Sequence, residues 1–130
     1  MSTEKSLEQL EGEIWDEPKI GSHLATECHK LRKIPLKYLS ADNLRMLMGQ
    51  RMGLKFIVPL VLDILESNLL TEGSMYKGDL LVNLLRIEPV FWCSNPELNN
   101  RVVELKIDIE SIIETLQIEV APNLGKFEFR

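Results

Sequence analysis

Cysteine is scarce: the chain has two in 130 residues, Cys28 and Cys93, far apart and in no repeated spacing. That pattern excludes a disulfide scaffold and suits a reducing compartment. Histidine is equally scarce, at His23 and His29. A zinc site built on a helix draws ligands from i, i+3 or i+4, whereas Cys28 and His29 are neighbours and point about 100° apart, so no metal is expected. The same adjacency keeps His29 from squarely facing a Cys28 nucleophile, which would need His23 or a distant group as its base. Glycines occur singly, so no loop is built to cradle phosphate. The longest near-apolar run, Phe56 to Leu62, is seven residues including Pro59, far short of a bilayer span. The opening residues Met1 to Ser6 are polar, with no apolar signal core behind them. Alternation of apolar and polar residues is lacking except at Lys126 to Arg130, which reads as a lone extended tail. No repeat or low-complexity stretch is present. The expectation is a soluble, cytoplasmic protein with no cofactor, no metal and no membrane association.

What is present is a normal apolar share, 45% of 130 residues. That is enough for one domain, residues 1–130 with 1–5 and 121–130 as tails, which buries roughly two-thirds of its unfolded surface. The net charge is −5. Residues 1–20 hold six acids and two bases, residues 21–60 two acids and seven bases, and residues 61–100 six acids and two bases. An acidic balance disfavours nucleic acid, whose phosphates reward clustered Lys and Arg, and favours a basic partner. The basic cluster Lys30, Arg32, Lys33 and Lys37 lacks interleaved aromatics apart from Tyr38, so no RNA surface is expected there.

Helical signals are frequent. Asn95-Pro96-Glu97 predicts a helix start, with Asn as N-cap, Pro at the first position and Glu against the positive dipole end. Behind it Leu98, Val102, Leu105, Ile109, Ile112 and Leu116 form one stripe over about six turns, stopping before Pro122. The stripe reads as packed against the domain, with a coiled-coil seam as the alternative. Glu104, Lys106, Asp108, Glu110 and Glu114 lie on the wet face. Ser40-Ala41-Asp42 opens another helix with Leu44, Leu47 and Met48 buried and Gly53 placed to end it. Leu54 to Glu66 is apolar on nearly every side and belongs at the centre, with Pro59 near its first turn or bending it. A further helix runs from about Gly78 to Leu85 or Arg86, and weaker segments cover Leu7–Glu11 and Ser22–Lys33. Cys93, after Phe91-Trp92, reads as a small buried residue. The fold class is therefore an all-α, single-domain compact helical bundle with short loops.

Two loop-like stretches combine carboxylates with a large ring. The first is Glu13-Ile14-Trp15-Asp16-Glu17-Pro18, where Trp15 is either an interface anchor or a lid on the core. The second is Thr71 to Asp79, with Glu72, Tyr76 and Asp79. Glu13, Trp15, Asp16, Glu17, Glu72, Tyr76 and Asp79 are the candidate partner-binding residues, and no catalytic residue is expected.

The chain as a whole resembles a helical family of immunity proteins from bacterial contact-dependent growth inhibition. The likeness lies in Leu7-Glu8-Gln9-Leu10-Glu11-Gly12-Glu13-Ile14-Trp15, then Cys28-His29-Lys30-Leu31-Arg32 with Pro35-Leu36. It continues through Leu44-Arg45, Gly49-Gln50, Gly53-Leu54, Pro59-Leu60, Glu72-Gly73, Gly78-Asp79-Leu80-Leu81, and Trp92 with Pro96-Glu97-Leu98. Asn68-Leu69-Leu70 departs from an Asn-Pro-Leu turn, and Ser74 stands where an acid is expected. The resemblance implies a non-enzymatic protein that binds the cognate C-terminal toxin domain of a large surface protein, as a monomer in a 1:1 complex. It implies occlusion of the toxin's active site, with a ribonuclease as the expected toxin. A helical scaffold or regulatory module unrelated to toxins, and a small enzyme using Cys28 or a carboxylate pair, are the alternatives.

Overall fold

Serine caps begin the first helices. Ser6, Ser22 and Ser40 each stand in extended backbone, and their hydroxyls accept from the amides of Gln9, Ala25 and Asn43 at 3.3, 3.2 and 3.1 Å. Each bond satisfies one of the amides that a helix start leaves unpaired. Gln9 and Asn43 reach back to the amides of Ser6 and Ser40, completing two capping boxes. These caps open α1 (Leu7–Glu11), α2 (His23–Leu31) and α3 (Ala41–Gly49) in the computed structural model, which describes residues 2–16 and 21–130. A 3₁₀ turn, Leu36–Tyr38, joins α2 to α3.

Gly53 does not end α3, which stops at Gly49. It starts α4 (Leu54–Ser67) instead, in the left-handed region at φ 58°. A Cβ at Gly53 would meet Leu7 Cδ2 at 2.5 Å, so the glycine also lets α1 seat against the start of α4. Central α4 carries the apolar character expected of it: Ile57, Val58, Val61, Leu62 and Leu65 are buried. Each such side chain contributes roughly 1.5–3 kcal/mol. Pro59 lies well inside the helix rather than at its first turn. Around α4 pack α3, α5 (Asp79–Leu85) and α7 (Pro96–Thr115), while α2 lies on α3. Leu44, Leu47 and Met48 of α3 and Leu80 and Leu84 of α5 close the core.

A short helix, α6 (Pro89–Ser94), was not expected from the sequence. It begins on Pro89, and its Phe91 and Trp92 rings pack edge to face with centroids 5.0 Å apart. Cys93 faces outward on it and is exposed, not buried, because the inward positions are taken by those two rings. Asn95 separates α6 from α7 without capping α7. Its side chain donates back to Phe91 O at 2.8 Å, leaving Pro96 to start α7.

The α7 stripe is buried over half its length. Leu98, Val102, Leu105 and Ile109 pack on the core, but Ile112 is 46% and Leu116 49% exposed. The cause is a difference in length. Helix α7 runs beside α4 in the same direction, with Arg101 holding Asp63 and Glu66 at 2.8 Å. Its neighbour ends at Ser67, and α7 continues past it. Every residue from Ser111 to Arg130 is exposed. The helix widens into a π-turn, Leu116–Val120, and a 3₁₀ turn, Ala121–Asn123. Lys126 to Arg130 forms no strand. Among the described residues the β-structure is a single antiparallel bridge, Glu72 to Lys77.

Candidate interaction surfaces

The chain after α1 folds over the end of α2, and Arg32 is the reason. Arg32 follows α2 and is 1% exposed. Its Nη2 donates to Glu11 Oε1 at 2.9 Å, and Nη1 and Nη2 both reach Glu13 O at 3.4 Å. The Trp15 ring covers the guanidinium, 3.7 Å from ring centroid to Cζ. This stacking is favourable for a planar cation and is worth about 0.5–2 kcal/mol. Trp15 is thus a lid, on the buried Arg32 guanidinium, and it remains 38% exposed. Its Nε1 donates to Glu13 Oε2 at 3.4 Å. Glu13 and Asp16 are exposed around it. Glu17 lies outside the described residues.

The second stretch is built around Asp79. Its carboxylate is 1% exposed and accepts from the amides of Gly73 at 2.6, Met75 at 2.9 and Tyr76 at 3.4 Å, with Arg45 Nε at 4.0 Å. Burial pushes the Asp79 carboxyl up, but the three amides and Arg45 outweigh it and hold it below the usual carboxylate value. Asp79 is therefore closed to direct contact with a partner and acts by shaping the loop. Its neighbour Asp42 binds Arg45 Nε at 2.7 Å and accepts from Ser74 Oγ at 2.9 Å. The hydroxyl that replaces an expected acid thus pins the loop to α3. Glu72 and Tyr76 are both exposed.

Among the described residues the two stretches do not meet. Glu11 and Glu13 line a cleft with Gly53 to Phe56, at the start of α4. The 72–79 loop follows the far end of α4 and is tied to the start of α3. The 14 residues of α4 set these ends about 20 Å apart at 1.5 Å per residue.

The sequence put Arg32 in a basic cluster and gave Arg45 a place in the family likeness but no structural role. The Asp42/Arg45 spacing of i, i+3 was a readable signal for the second. The first depends on where residues 11–16 pass, which no local pattern records. Cys28 is wholly buried, and burial, with Glu27 nearby, pushes its thiol up, so it is a poor source of thiolate. Among the described residues no group of His, Cys, Asp and Glu is arranged to hold a metal ion, and no helix is long and apolar enough to cross a membrane.

The family profile of the CDI (contact-dependent growth inhibition) immunity proteins matches residues 9–102. The chain belongs to that family. The match takes in both the Arg32-held head and the Asp79-held loop of this CDI immunity protein, and it ends within α7, shortly before the helix leaves the core. No curated protein and no solved structure matches the chain.

Proposed function

We propose that this CDI immunity protein binds, one copy to one in the cytoplasm, the toxic C-terminal domain of a surface protein delivered by a neighbouring cell. It occludes the toxin's active site through acidic surfaces, and the toxin is a ribonuclease. The observation that carries this reading is the head: a partly exposed indole over a buried guanidinium, with exposed Glu13 and Asp16 beside it in the chain. A nuclease groove is positive because it holds phosphates, so carboxylates imitate its substrate. A rigid ring supplies the anchoring contact that charge alone does not. Nanomolar protection needs about −12 kcal/mol, and both kinds of group are required to reach it. Glu17 is counted with the head on sequence grounds. Glu72 and Tyr76 offer a second contact, since a standard interface of roughly 800 Å² per partner is about 30 Å across and reaches both ends of α4. Asp79 positions those two residues.

The test is a binding titration against the cognate toxin domain, with thermal melts as controls. Reversing Glu13 and Asp16 to Lys is expected to weaken binding at least tenfold without lowering the melting temperature, because exposed charges seldom hold a fold. Reversing Lys30 and Lys33 to Glu is expected to leave binding unchanged or improved. Association is expected to slow as salt rises. A dispensable acidic pair with an essential basic pair would sink the substrate-mimic mechanism.

A further inference from the structure

After Gly12 closes α1, the chain runs through Glu13, Ile14, Trp15 and Asp16 in neither helix nor strand. Among the described residues, no backbone group of these four bonds another backbone group. Their side chains bond only each other, Trp15 Nε1 to Glu13 Oε2. Ile14 is 83% exposed. What ties the segment to the body of the domain is Arg32, which bonds Glu13 O and the Glu11 carboxylate and lies under the Trp15 ring. A segment with so few ties is loose by default, because fixing each residue costs conformational entropy.

Arg32 itself is sealed at 1% exposure, so a partner cannot touch it. Its buried Nε has no hydrogen-bond partner among the described residues. A buried cation with one donor unpaired is a poor choice for stability alone, where an apolar side chain of similar volume does as well or better. The guanidinium does suit the head. Its fork reaches a carboxylate and a carbonyl together, and its flat face matches the indole. An ammonium has neither fork nor plane.

We propose that Arg32 is a positioning residue for toxin binding: it never touches the toxin, and it holds Glu11 to Asp16 in the binding shape before the toxin arrives. This rests on the reading of the head as a toxin contact. Chains whose head is formed are the ones ready to bind, so loosening the head lowers affinity by the fraction that remains formed. If about one chain in ten keeps it, affinity falls about tenfold. The loss falls on association, since the contacts made once bound are the same. Lysine at this position keeps the charge, so the loss persists at high salt.

The experiment uses the full-length chain with Trp92→Phe throughout, so that tryptophan emission reports Trp15 alone. The variants are Arg32→Lys, Glu13→Lys with Asp16→Lys, all three together, and Leu105→Ala as a control destabilised in the core. Each is titrated against the C-terminal domain of the cognate surface protein, with stopped-flow rates at low and high salt, thermal melts, and fluorescence anisotropy decay of the free protein. Arg32→Lys is expected to slow association about tenfold at both salt levels, to leave dissociation near wild type, and to speed local motion of Trp15. Its effect should shrink in the background of the reversed acids. Leu105→Ala should melt lower yet bind like wild type. Arg32→Lys binding like wild type while the reversed acids fail would overturn the positioning role and leave the head reading intact. Reversed acids that bind like wild type would remove the head reading and the positioning role with it. Equal losses in both backgrounds, or Trp15 motion unchanged by Arg32→Lys, would give Arg32 a role in the fold alone and overturn the proposal. If Arg32→Lys does not fold, Glu11→Gln takes its place, since it weakens only the carboxylate end of the clamp. Slower association with faster Trp15 motion is then expected, and the absence of both would overturn the proposal.

Discussion

Arg51 holds φ 58°, in the left-handed region that glycine adopts freely and other residues adopt at a cost of about 1–2 kcal/mol. It sits just past α3, where helices usually turn on glycine. Its guanidinium offsets the strain: Nε and Nη2 bond both Glu88 oxygens at 2.8–3.1 Å, Nη1 bonds Met48 O at 2.8 Å, and Nη2 bonds Arg86 O at 3.1 Å. One side chain thus ties the α3–α4 turn to the α5–α6 connection. Arg51→Ala loses these bonds and keeps the strained backbone, whereas Arg51→Gly loses the bonds and relieves the strain. The glycine variant is expected to be the more stable of the two by about 1 kcal/mol, read from urea unfolding of both proteins. The reverse order would show that the backbone at this position is not strained.

At the scale of elements, the 72–79 loop and α7 each give a measurable consequence. Asp79 and Asp42 both titrate below their ordinary carboxylate value near 3.8 when folded. For Asp42, as for Asp79, burial pushes up, and here hydrogen bonds from Arg45 and Ser74 outweigh it. A depressed folded value means that the stabilisation is complete above the unfolded value and fades as pH falls through the folded one. The acid limb of stability is therefore expected to begin below about pH 5. Asp79→Asn places an NH₂ where amides must be accepted, and should cost about 1–3 kcal/mol at neutral pH. It should also flatten that acid limb, followed by thermal melts from pH 3 to 7. Helix α7 divides at Ile109. Leu105→Ala leaves a cavity and is expected to cost about 2–5 kcal/mol. Ile112→Ala, on the projecting half, should fall within about 0.5 kcal/mol of wild type. An equal loss at both positions in urea unfolding would mean that the projecting face is covered in the free protein.

At the scale of the whole molecule, what was legible in the sequence was local. Ser40-Ala41-Asp42, the all-round apolar character of Leu54 to Glu66, and the first half of the stripe that runs from Leu98 to Leu116 each record a helix in neighbouring residues. All three stand where the sequence places them. What was illegible depends on distant parts. Burial of Ile112 and Leu116 fails because α4 ends before α7 does, a comparison of two lengths that neither helix encodes. The outward turn of Cys93 is set by which rings of α6 face the core. Arg32 looked like surface charge until residues 11–16 were laid across it. Of the candidate residues, Glu13 and Trp15 share one end of the α3–α4 pair, and Glu72 and Tyr76 share the other. Asp79 proved to be a buried support.

Both acidic stretches are organised in the same way, from beneath. Arg32 grips the Glu13 carbonyl beside the Glu11 carboxylate, Asp79 grips amides, and the main-chain groups are the same whatever side chain is attached. The outward positions beside them, Glu72, Tyr76 and Asp16, hold no part of the scaffold. A gene encoding this chain can therefore rewrite its outward letters at little penalty in folding. A lineage could exchange one adversary for another in a few substitutions, and two descendants that neutralise different targets could still share one melting curve.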